Sequence, residues 1–330
     1  MAWMSSYGFC STPADERAIA HMMSADLAGH WFPDQPTERV QWMTDLWSFY
    51  AFVDDQRLEV GDATEPFLGQ FVGQMSLVIG QHRSFRRETI DSPLLCALHD
   101  LTRRVHEMST PAQAARYTAG LGNWLMAVLA DDKNRNSRDL SNFLVMRLGS
   151  IAALFMLECI NVLCPEPVPA HEWHHPKVVA AGQAAMLVAA CDNEMFSYGK
   201  ERFLAEGGNA SGGEWQSANL VRFLESRGSS ITQAFATVAD FRNRSMWLWC
   251  RLKDQLRPTA SPALASLLHA IDYVIAGTAQ HHSTSSRYHD PDGQHPHAIT
   301  FDISYASDDP VTNHNPIAPS LAWWWEQLAA

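Results

Sequence analysis

The stretch Asn193-Glu194-Met195-Phe196-Ser197-Tyr198-Gly199-Lys200-Glu201 places Asn, Ser and Glu at intervals of four residues. A helix turns about 100° per residue, so positions 193, 197 and 201 drift by only roughly 80° and share one face. All three side chains offer the oxygen ligands that Mg²⁺ prefers. Glu201 is the longest, and helical side chains lean toward the N-terminus, so its carboxylate can reach back toward Asn193 and Ser197. The stretch predicts a metal site on one helix.

An acidic segment, Asp54-Asp55-Gln56-Arg57-Leu58-Glu59, follows a mostly apolar run from Trp47 to Val53. Such acids are either the solvated end of a helix or part of a site, and the apolar run before them favours the site. Asp55 and Glu59 are four residues apart on one helical face, whereas Asp54 is turned away by about 100°. The segment predicts a second set of oxygen ligands for a divalent ion.

Both motifs resemble the metal-binding motifs of class I terpene synthases. The stretch from Asn193 to Glu201 is similar to the family's Asn-x-x-x-Ser-x-x-x-Glu triad, with the usual Tyr and Lys between Ser and Glu. The acidic segment resembles the family's aspartate-rich motif in its DDxxxE form. Each motif is weak by itself, because pairs of aspartates are common, but their order and interval agree with the family.

Two further positions extend the resemblance to nearly the whole chain. Arg147 stands 46 residues before Asn193 and resembles the diphosphate-sensing arginine of bacterial members. Arg287-Tyr288 resembles the Arg-Tyr pair near the family's C-terminus. For Arg147, the alternative is a buried ion pair with Glu158 or a neighbour.

The resemblance implies an all-α fold, a single class I terpenoid synthase helical bundle of residues 1–330 around a central cavity. It implies an enzyme that ionises a linear prenyl diphosphate, cyclises the carbocation and releases diphosphate. The implied cofactor is Mg²⁺, in about three ions per site. The implied metal ligands are Asp54, Asp55, Glu59, Asn193, Ser197 and Glu201.

Cationic donors should accompany the metal, because a diphosphate leaves only when its negative charge is neutralised. Arginine supplies a fixed fork of donors and lysine a point charge. The resemblance assigns this role to Arg147, Lys200, Arg287 and the hydroxyl of Tyr288. Ser150 and Ile151 lie where the family has a backbone bend that triggers cation formation.

The cavity should be apolar and aromatic, since cation–π contacts are worth roughly 0.5–2 kcal/mol each. Trp47, Tyr50 and Ala51 precede the first aspartate by seven, four and three residues and share its helical face. Phe155 and Phe196 are two further candidates. The chain has twelve Trp and fifteen Phe, and most of these rings are expected simply to pack helices together.

His281 is a departure from the family pattern, which has Trp six residues before the Arg-Tyr pair. Either the aromatic role has moved elsewhere, or a polar group lines the cavity and guides deprotonation or water. A third interpretation is a homologue that binds prenyl diphosphates without turning them over.

The composition limits the partners. A net charge of −12 and the lack of a Lys/Arg run argue against nucleic acid. The longest apolar run, Val178 to Cys191, is about 14 residues, short of the roughly 20 that span a bilayer. No signal peptide is visible, and the six cysteines show no C-x-x-C spacing. We expect a cytoplasmic protein without a membrane partner, and a homodimer remains open.

Helical periodicity dominates the chain. Thr12 and Thr110 each precede a proline and have Asp or Gln three residues later, which indicates helix starts. Further helices are predicted over 36–57, 63–80, 93–107, 138–163, 177–205, 214–228, 231–255 and 262–286. The glycine-rich segment 207–213 and a loop over about 287–320 are expected to close over the site.

One motif is a false lead. His171-Glu172-Trp173-His174-His175 fits the zinc-protease pattern, which requires both histidines on one helical face. Pro176 disfavours a helical conformation at His175, so zinc chemistry is not expected.

The favoured substrate is farnesyl diphosphate, giving a cyclic sesquiterpene, because the DDxxxE variant and the tail Trp323-Trp324-Trp325 resemble sesquiterpene members. Geranylgeranyl diphosphate is the alternative, since the chain length depends on the depth of the cavity. A chain-elongating prenyltransferase is disfavoured, because it would need two aspartate-rich motifs.

Overall fold

The computed structural model describes residues 2–53, 65–80, 92–134, 139–207, 218–289 and 311–329. Within these ranges the chain forms helices and turns without a β-strand, as the sequence predicted. The helices are α1 (Ala2–Ser6), α2 (Pro13–His21), α3 (Ser24–Trp31), α4 (Thr37–Val53), α5 (Glu65–Gly80), α6 (Pro93–Met108), α7 (Pro111–Asn134), α8 (Leu140–Ser150), α9 (Ala153–Leu163), α10 (Ala170–Trp173), α11 (Pro176–Gly207), α12 (Leu220–Ser226), α13 (Ile231–Leu256), α14 (Pro262–Thr284) and α15 (Ala322–Glu326).

Both helix starts that the sequence marked are confirmed. The Thr12 hydroxyl accepts from the Asp15 amide at 3.2 Å, and the Asp15 carboxylate accepts from the Thr12 amide at 2.8 Å. Gln113 accepts from the Thr110 amide at 3.0 Å. Its own amide group donates to the carbonyl of Asn161 at 2.6 Å, so the start of α7 is bound to the end of α9.

The predicted continuous helix over 138–163 is wrong, because the backbone breaks between α8 and α9. Ala152 has φ +62°, a left-handed conformation that costs roughly 1–2 kcal/mol outside glycine. Trp124 Nε1 donates to the Ser150 carbonyl at 3.0 Å and so satisfies a group that helix continuation would otherwise use. The break falls where the resemblance placed a bend, at Ser150 and Ile151.

Helix α11 lies at the centre of the bundle and contacts several other helices, including α8, α9, α10, α12, α13, α14 and α15. Its first half carries the fully buried small residues Ala180, Ala181, Ala184 and Ala185. Small side chains let neighbouring helices approach closely. The second half of α11 contains the stretch from Asn193 to Glu201, so the predicted metal ligands lie on an enclosed helix.

The end of the predicted C-terminal loop is anchored to the bundle. Arg244 Nε of α13 donates to the Asn315 carbonyl at 3.0 Å, and the Ser320 hydroxyl donates to the Ser141 carbonyl at 3.2 Å. Residues 290–310 of that loop and 208–213 of the glycine-rich segment lie outside the described residues.

Two segments, Leu140–Leu163 and Pro262–Thr284, are long and apolar enough to cross a membrane by length and composition. The first is interrupted at Ala152 by the break between α8 and α9. The second is α14, which packs against α3, α9 and α11. Core helices pass the same test, so these segments are weak evidence for a membrane protein.

Candidate active site

The three side chains of the predicted metal triad share one face of α11, which runs without interruption from Pro176 to Gly207. Ser197 is 3% exposed and Glu201 is 4% exposed, while Asn193 is half-buried. Lys200, on the same helix, is also buried. Buried polar groups are costly unless they find partners or a ligand, so this stripe indicates a site rather than a solvated face.

Asn193 is bound to the Arg-Tyr pair that follows α14. Its Nδ2 group donates to Tyr288 Oη at 3.2 Å and lies 3.2 Å from His282 Nε2. Arg287 Nη1 donates to the same Tyr288 oxygen at 3.2 Å. The fold therefore joins a candidate metal ligand to two candidate diphosphate ligands from a distant part of the sequence.

Arg147 contacts α11 through the carboxylate of Glu194, which the sequence did not mark as a candidate. The Arg147 Nε lies 2.6 Å from Glu194 Oε1, so Arg147 does form a largely buried ion pair, as the alternative interpretation expected, and the partner that the structure shows is Glu194. The Leu220 amide donates to the other Glu194 oxygen. Burial, opposed by Arg147, raises the pKa of Glu194 to about 7.

Asn219 connects the triad to the start of α12. Its Oδ1 accepts from the amides of Val221 at 2.9 Å and Arg222 at 3.2 Å, which makes it the N-cap. Its Nδ2 donates to the Glu194 carbonyl at 2.9 Å and lies 3.5 Å from Ser197 Oγ. An Asn before a helix is a visible cap signal, but its contact with Ser197 depends on tertiary structure.

The end of α8 carries the remaining candidates near Arg147. The Arg147 carbonyl accepts from the Ile151 amide at 2.9 Å, and the Ser150 hydroxyl lies 3.5 Å from the same oxygen. Arg147 is therefore one turn from the break, as the resemblance implies. The acids Asp54, Asp55 and Glu59 lie outside the described residues, so the structure places only the α11 side of the predicted metal site.

The donor set on α11 fits a hard divalent ion, since it offers amide, hydroxyl and carboxylate oxygens on one buried stripe. Among the residues that the structure describes, no group of three or more His, Cys, Asp or Glu could hold an ion. In the zinc-like motif, α10 ends at Trp173, and Glu172 accepts from the Ser261 amide at 2.9 Å. That carboxylate therefore contributes to the cap of α14.

Residues 45–246 match the sequence profile of the family described as "Terpene synthase family 2, C-terminal metal binding". The chain is 37% identical to diterpene cyclase DtcycA from Streptomyces sp over 99% of its length and 90% of the relative's. The chain belongs to the bacterial class I terpene synthases. Membership makes it a lyase that cyclises a prenyl diphosphate and depends on a divalent metal.

Two further comparisons agree with this terpene synthase assignment. Phomopsene synthase from Allokutzneria albata is 26% identical over 98% of this chain and 89% of its own length. The crystal structure of the SVS_A2 protein from ancestral sequence reconstruction superposes with a TM-score of 0.81, at 22% identity, over 100% of this chain and 92% of that one. The second comparison shows the fold alone and confirms the all-α class I prediction.

The terpene synthase also has a cluster of rings from three helices, α4, α7 and α9. Tyr50 of α4 meets Trp124 edge-on at 4.7 Å and Phe155 at 5.5 Å, and Phe155 lies 5.2 Å from Tyr117. We call these four residues the aromatic cluster. We call Asn193, Glu194, Arg147, Arg287 and Tyr288 the polar cluster. The last turn of α8 links the two clusters, since it carries both Arg147 and the carbonyl that binds Trp124.

Some polar atoms in the aromatic cluster and beside it lack hydrogen-bond partners among the described residues. The Tyr50 hydroxyl is buried without a hydrogen-bond partner in the described ranges, and burial raises its pKa well above the usual value. Glu158, one turn after Phe155, is similar: its Oε2 is buried and unpartnered there. Burial, opposed by Arg116, raises the pKa of Glu158 to about 7. A Cβ at Gly120 would lie 2.5 Å from Glu158 Cγ, so glycine makes room for it.

The other predicted lining residues are more dispersed. Trp47 packs edge-on against Trp31 of α3 at 5.2 Å, and Ala51 is buried in α4. Phe196 lies 5.6 Å from the ring of His282. His281 is 1% exposed, with Nδ1 3.4 Å from Asp26 Oδ2. Burial, with Arg287 nearby, lowers the pKa of His281 to about 3.

Proposed function

We propose that this terpene synthase uses Mg²⁺, in about three ions, to ionise geranylgeranyl diphosphate and cyclise it to a diterpene. The observation that carries the proposal is the contact between Asn193 and the Arg287-Tyr288 pair. In the proposal, Asn193 is a metal ligand and its two neighbours are donors to the diphosphate. Hard cations and charged donors are the groups that stabilise a departing diphosphate.

Asn193, Ser197 and Glu201 would hold the metal on the α11 side, and Asp54, Asp55 and Glu59 are the proposed ligands from the other side. Bound metal would neutralise diphosphate charge and polarise the carbon–oxygen bond that breaks. Four of these residues carry carboxylates that ionise before they bind cations: Asp54, Asp55, Glu59 and Glu201.

Arg147, Lys200, Arg287 and Tyr288 are the proposed diphosphate donors from the protein. Glu194 holds the Arg147 guanidinium at Nε, and Tyr288 is held by both Asn193 and Arg287. Donors that are fixed before the reaction need no reorganisation when charge develops. Ser150 and Ile151 lie at the break after α8. If Arg147 shifts when diphosphate binds, the backbone at these two residues would shift with it and so change the position of the aromatic cluster.

The aromatic cluster is the proposed environment of the carbocation. Ring faces stabilise cations most strongly where water is excluded. Tyr50 and Phe155 are buried and belong to one contiguous set of rings. Trp47, Ala51, Phe196 and His281 remain proposed lining residues.

The proposed chain length of the substrate is supported by one relative and by one structural observation. The relative at 37% identity is named a diterpene cyclase, which favours geranylgeranyl diphosphate. The Trp tail that suggested farnesyl diphosphate packs away from the triad. Trp324 Nε1 donates to Gln183 at 2.9 Å, and Gln183 precedes Asn193 by ten residues, or roughly 15 Å along α11. The tail therefore stabilises the bundle, and farnesyl diphosphate becomes the second candidate because of the DDxxxE variant.

We also propose that residues 1–330 act as one catalytic domain in the cytoplasm, without a nucleic acid or membrane partner. A homodimer stays a candidate assembly, which light scattering of the purified protein would identify.

The test is incubation of the purified protein with Mg²⁺ and, separately, geranyl, farnesyl and geranylgeranyl diphosphate, followed by gas chromatography–mass spectrometry. We expect a cyclic product from geranylgeranyl diphosphate and none from the Asn193→Ala/Ser197→Ala variant. A product from farnesyl diphosphate alone would restore the first substrate prediction. Equal turnover with and without Mg²⁺ would contradict the proposed metal.

A further inference from the structure

We propose that His282 is a positioning residue, which orients the Asn193 side-chain amide so that its oxygen faces the bound metal. The proposal rests on the proposed role of Asn193 as a metal ligand. His282 lies outside every motif quoted from the sequence, and its role follows from three contacts.

The first contact fixes the tautomer of His282. Its Nδ1 lies 2.6 Å from the carbonyl oxygen of Thr278, one turn earlier on α14. A carbonyl oxygen can only accept, so Nδ1 carries the hydrogen. With its hydrogen on Nδ1, the imidazole has its lone pair on Nε2, so Nε2 is the acceptor of the ring.

The second contact transfers this constraint to Asn193. Only the amide nitrogen of Asn193 can donate to His282 Nε2, and the two atoms are 3.2 Å apart. The same nitrogen donates to Tyr288 Oη at 3.2 Å. Among the described residues, both hydrogen-bond contacts of the Asn193 side chain thus involve Nδ2, and Oδ1 lies on the opposite side of the amide. A flipped amide would direct its oxygen at the lone pair of Nε2.

The third contact holds the plane of the ring. His282 stacks on Tyr288 with the ring centroids 4.5 Å apart and an angle of 23° between planes. Stacking and hydrogen bonding can be separated by substitution. Phenylalanine retains a ring but has no acceptor, whereas glutamine can place an acceptor near Nε2 but cannot stack in the same way.

The main experiment is calorimetric titration with Mg²⁺ and inorganic diphosphate, which measures site assembly without turnover. We expect His282→Phe to weaken this binding about 10-fold, as removal of a partner of a metal ligand typically does. His282→Gln should recover most of the loss. In the Asn193→Ala background, His282→Phe should have no further effect, because the residue acts through Asn193.

Thermal unfolding of the wild type and the four variants shows whether each variant folds. Unchanged binding by His282→Phe, or an equal loss in the Asn193→Ala background, would overturn the positioning role alone. Wild-type protein that binds no Mg²⁺–diphosphate would overturn the proposed function instead.

A second measurement needs no metal. Long-range ¹⁵N–¹H spectra, with His282→Gln used for assignment, should show the hydrogen of His282 on Nδ1. A hydrogen on Nε2 would overturn the proposal, because that atom would then be unable to accept from Asn193.

Discussion

In the polar cluster the Glu194 carboxylate and the Tyr288 hydroxyl are each held by two partners, whereas the Tyr50 hydroxyl of the aromatic cluster, and one oxygen of Glu158 beside it, have none among the described residues. Glu194 accepts from both Arg147 and Leu220, and Tyr288 accepts from Asn193 and Arg287. Fixed donors suit a diphosphate, whose charges have defined positions. Polarisable rings suit a carbocation, whose charge moves along the chain. The difference indicates that polar side chains are held more firmly at the proposed diphosphate site than at the proposed carbocation site.

The largest expected effect comes from Arg147→Lys, measured as kcat. Lysine cannot reproduce the fork that contacts Glu194, and loss of one fixed donor to developing charge typically costs about 10²–10³ in kcat. Arg242→Lys is the matched control. Arg242 binds Asp192 of α11 at 2.5 Å, a similar buried pair outside the proposed site.

The control should lower the unfolding temperature and change kcat by less than about 3-fold. If both variants lose turnover equally, the Arg147 pair has no special role and the comparison between the clusters fails.

Glu158 provides a test of the aromatic cluster through pH. Its pKa is raised to about 7 in the folded protein, so between about 4.5 and 7 the folded chain binds more protons than the unfolded chain. The unfolding free energy contributed by this group therefore falls as pH rises through that window, by roughly 2–3 kcal/mol. Glu158→Gln should remove this fall.

Urea unfolding of both proteins at pH 5 and pH 8 measures the effect. A variant whose stability changes with pH as the wild type's does would mean that Glu158 titrates in the folded state as it does in the unfolded state.

Trp124→Phe tests the hydrogen bond that links the two clusters while leaving the residues of both clusters otherwise in place. It retains a ring beside Tyr50 but removes the donor to the Ser150 carbonyl. We expect a loss of about 1 kcal/mol in unfolding free energy and a drop in kcat of about 10-fold, because the break after Arg147 loses a restraint. Steady-state kinetics and thermal unfolding measure both. A stability loss without any change in kcat would show that the break acts only in folding.

Tyr50→Phe should have the smallest effect on stability. A buried hydroxyl without a partner contributes nothing favourable, so its removal should leave stability unchanged or raise it by up to about 1 kcal/mol. The product pattern should shift while the rate of diphosphate release stays within about 3-fold. Destabilisation by more than 1 kcal/mol would reveal a partner for the hydroxyl and weaken the contrast with the polar cluster.

The sequence predicted the features that depend on residues near one another in the chain. It did not predict the contacts between distant residues that build the candidate site. Four-residue spacing on α11 and the caps at Thr12 and Thr110 depend on neighbours along the chain, so they were readable. Glu194 lies inside the quoted stretch but off the stripe, and only the approach of Arg147 shows its role. The apolar periodicity continues through Ala152, so it predicted one helix where the structure has a break. One cause of the break is Trp124, which lies on another helix and binds the Ser150 carbonyl.

The contacts of His282 could not be predicted for the same reason. The sequence shows His282 next to His281, but which residues it contacts depends on how α14 packs on α11. The metal-binding role of Asp54, Asp55 and Glu59 stays a prediction, because these residues lie outside the described ranges. The substrate length depends on the shape of the cavity rather than on any motif.

Asn219 has a consequence for recombining this enzyme with its relatives. The residue caps α12 and also binds the Glu194 carbonyl and Ser197, so one side chain belongs to two helices. A chimera with its crossover between α11 and α12 would take the triad from one parent and its support from another. Exchange of α11 and α12 as one block, with Asn219 included, should give the larger share of active hybrids.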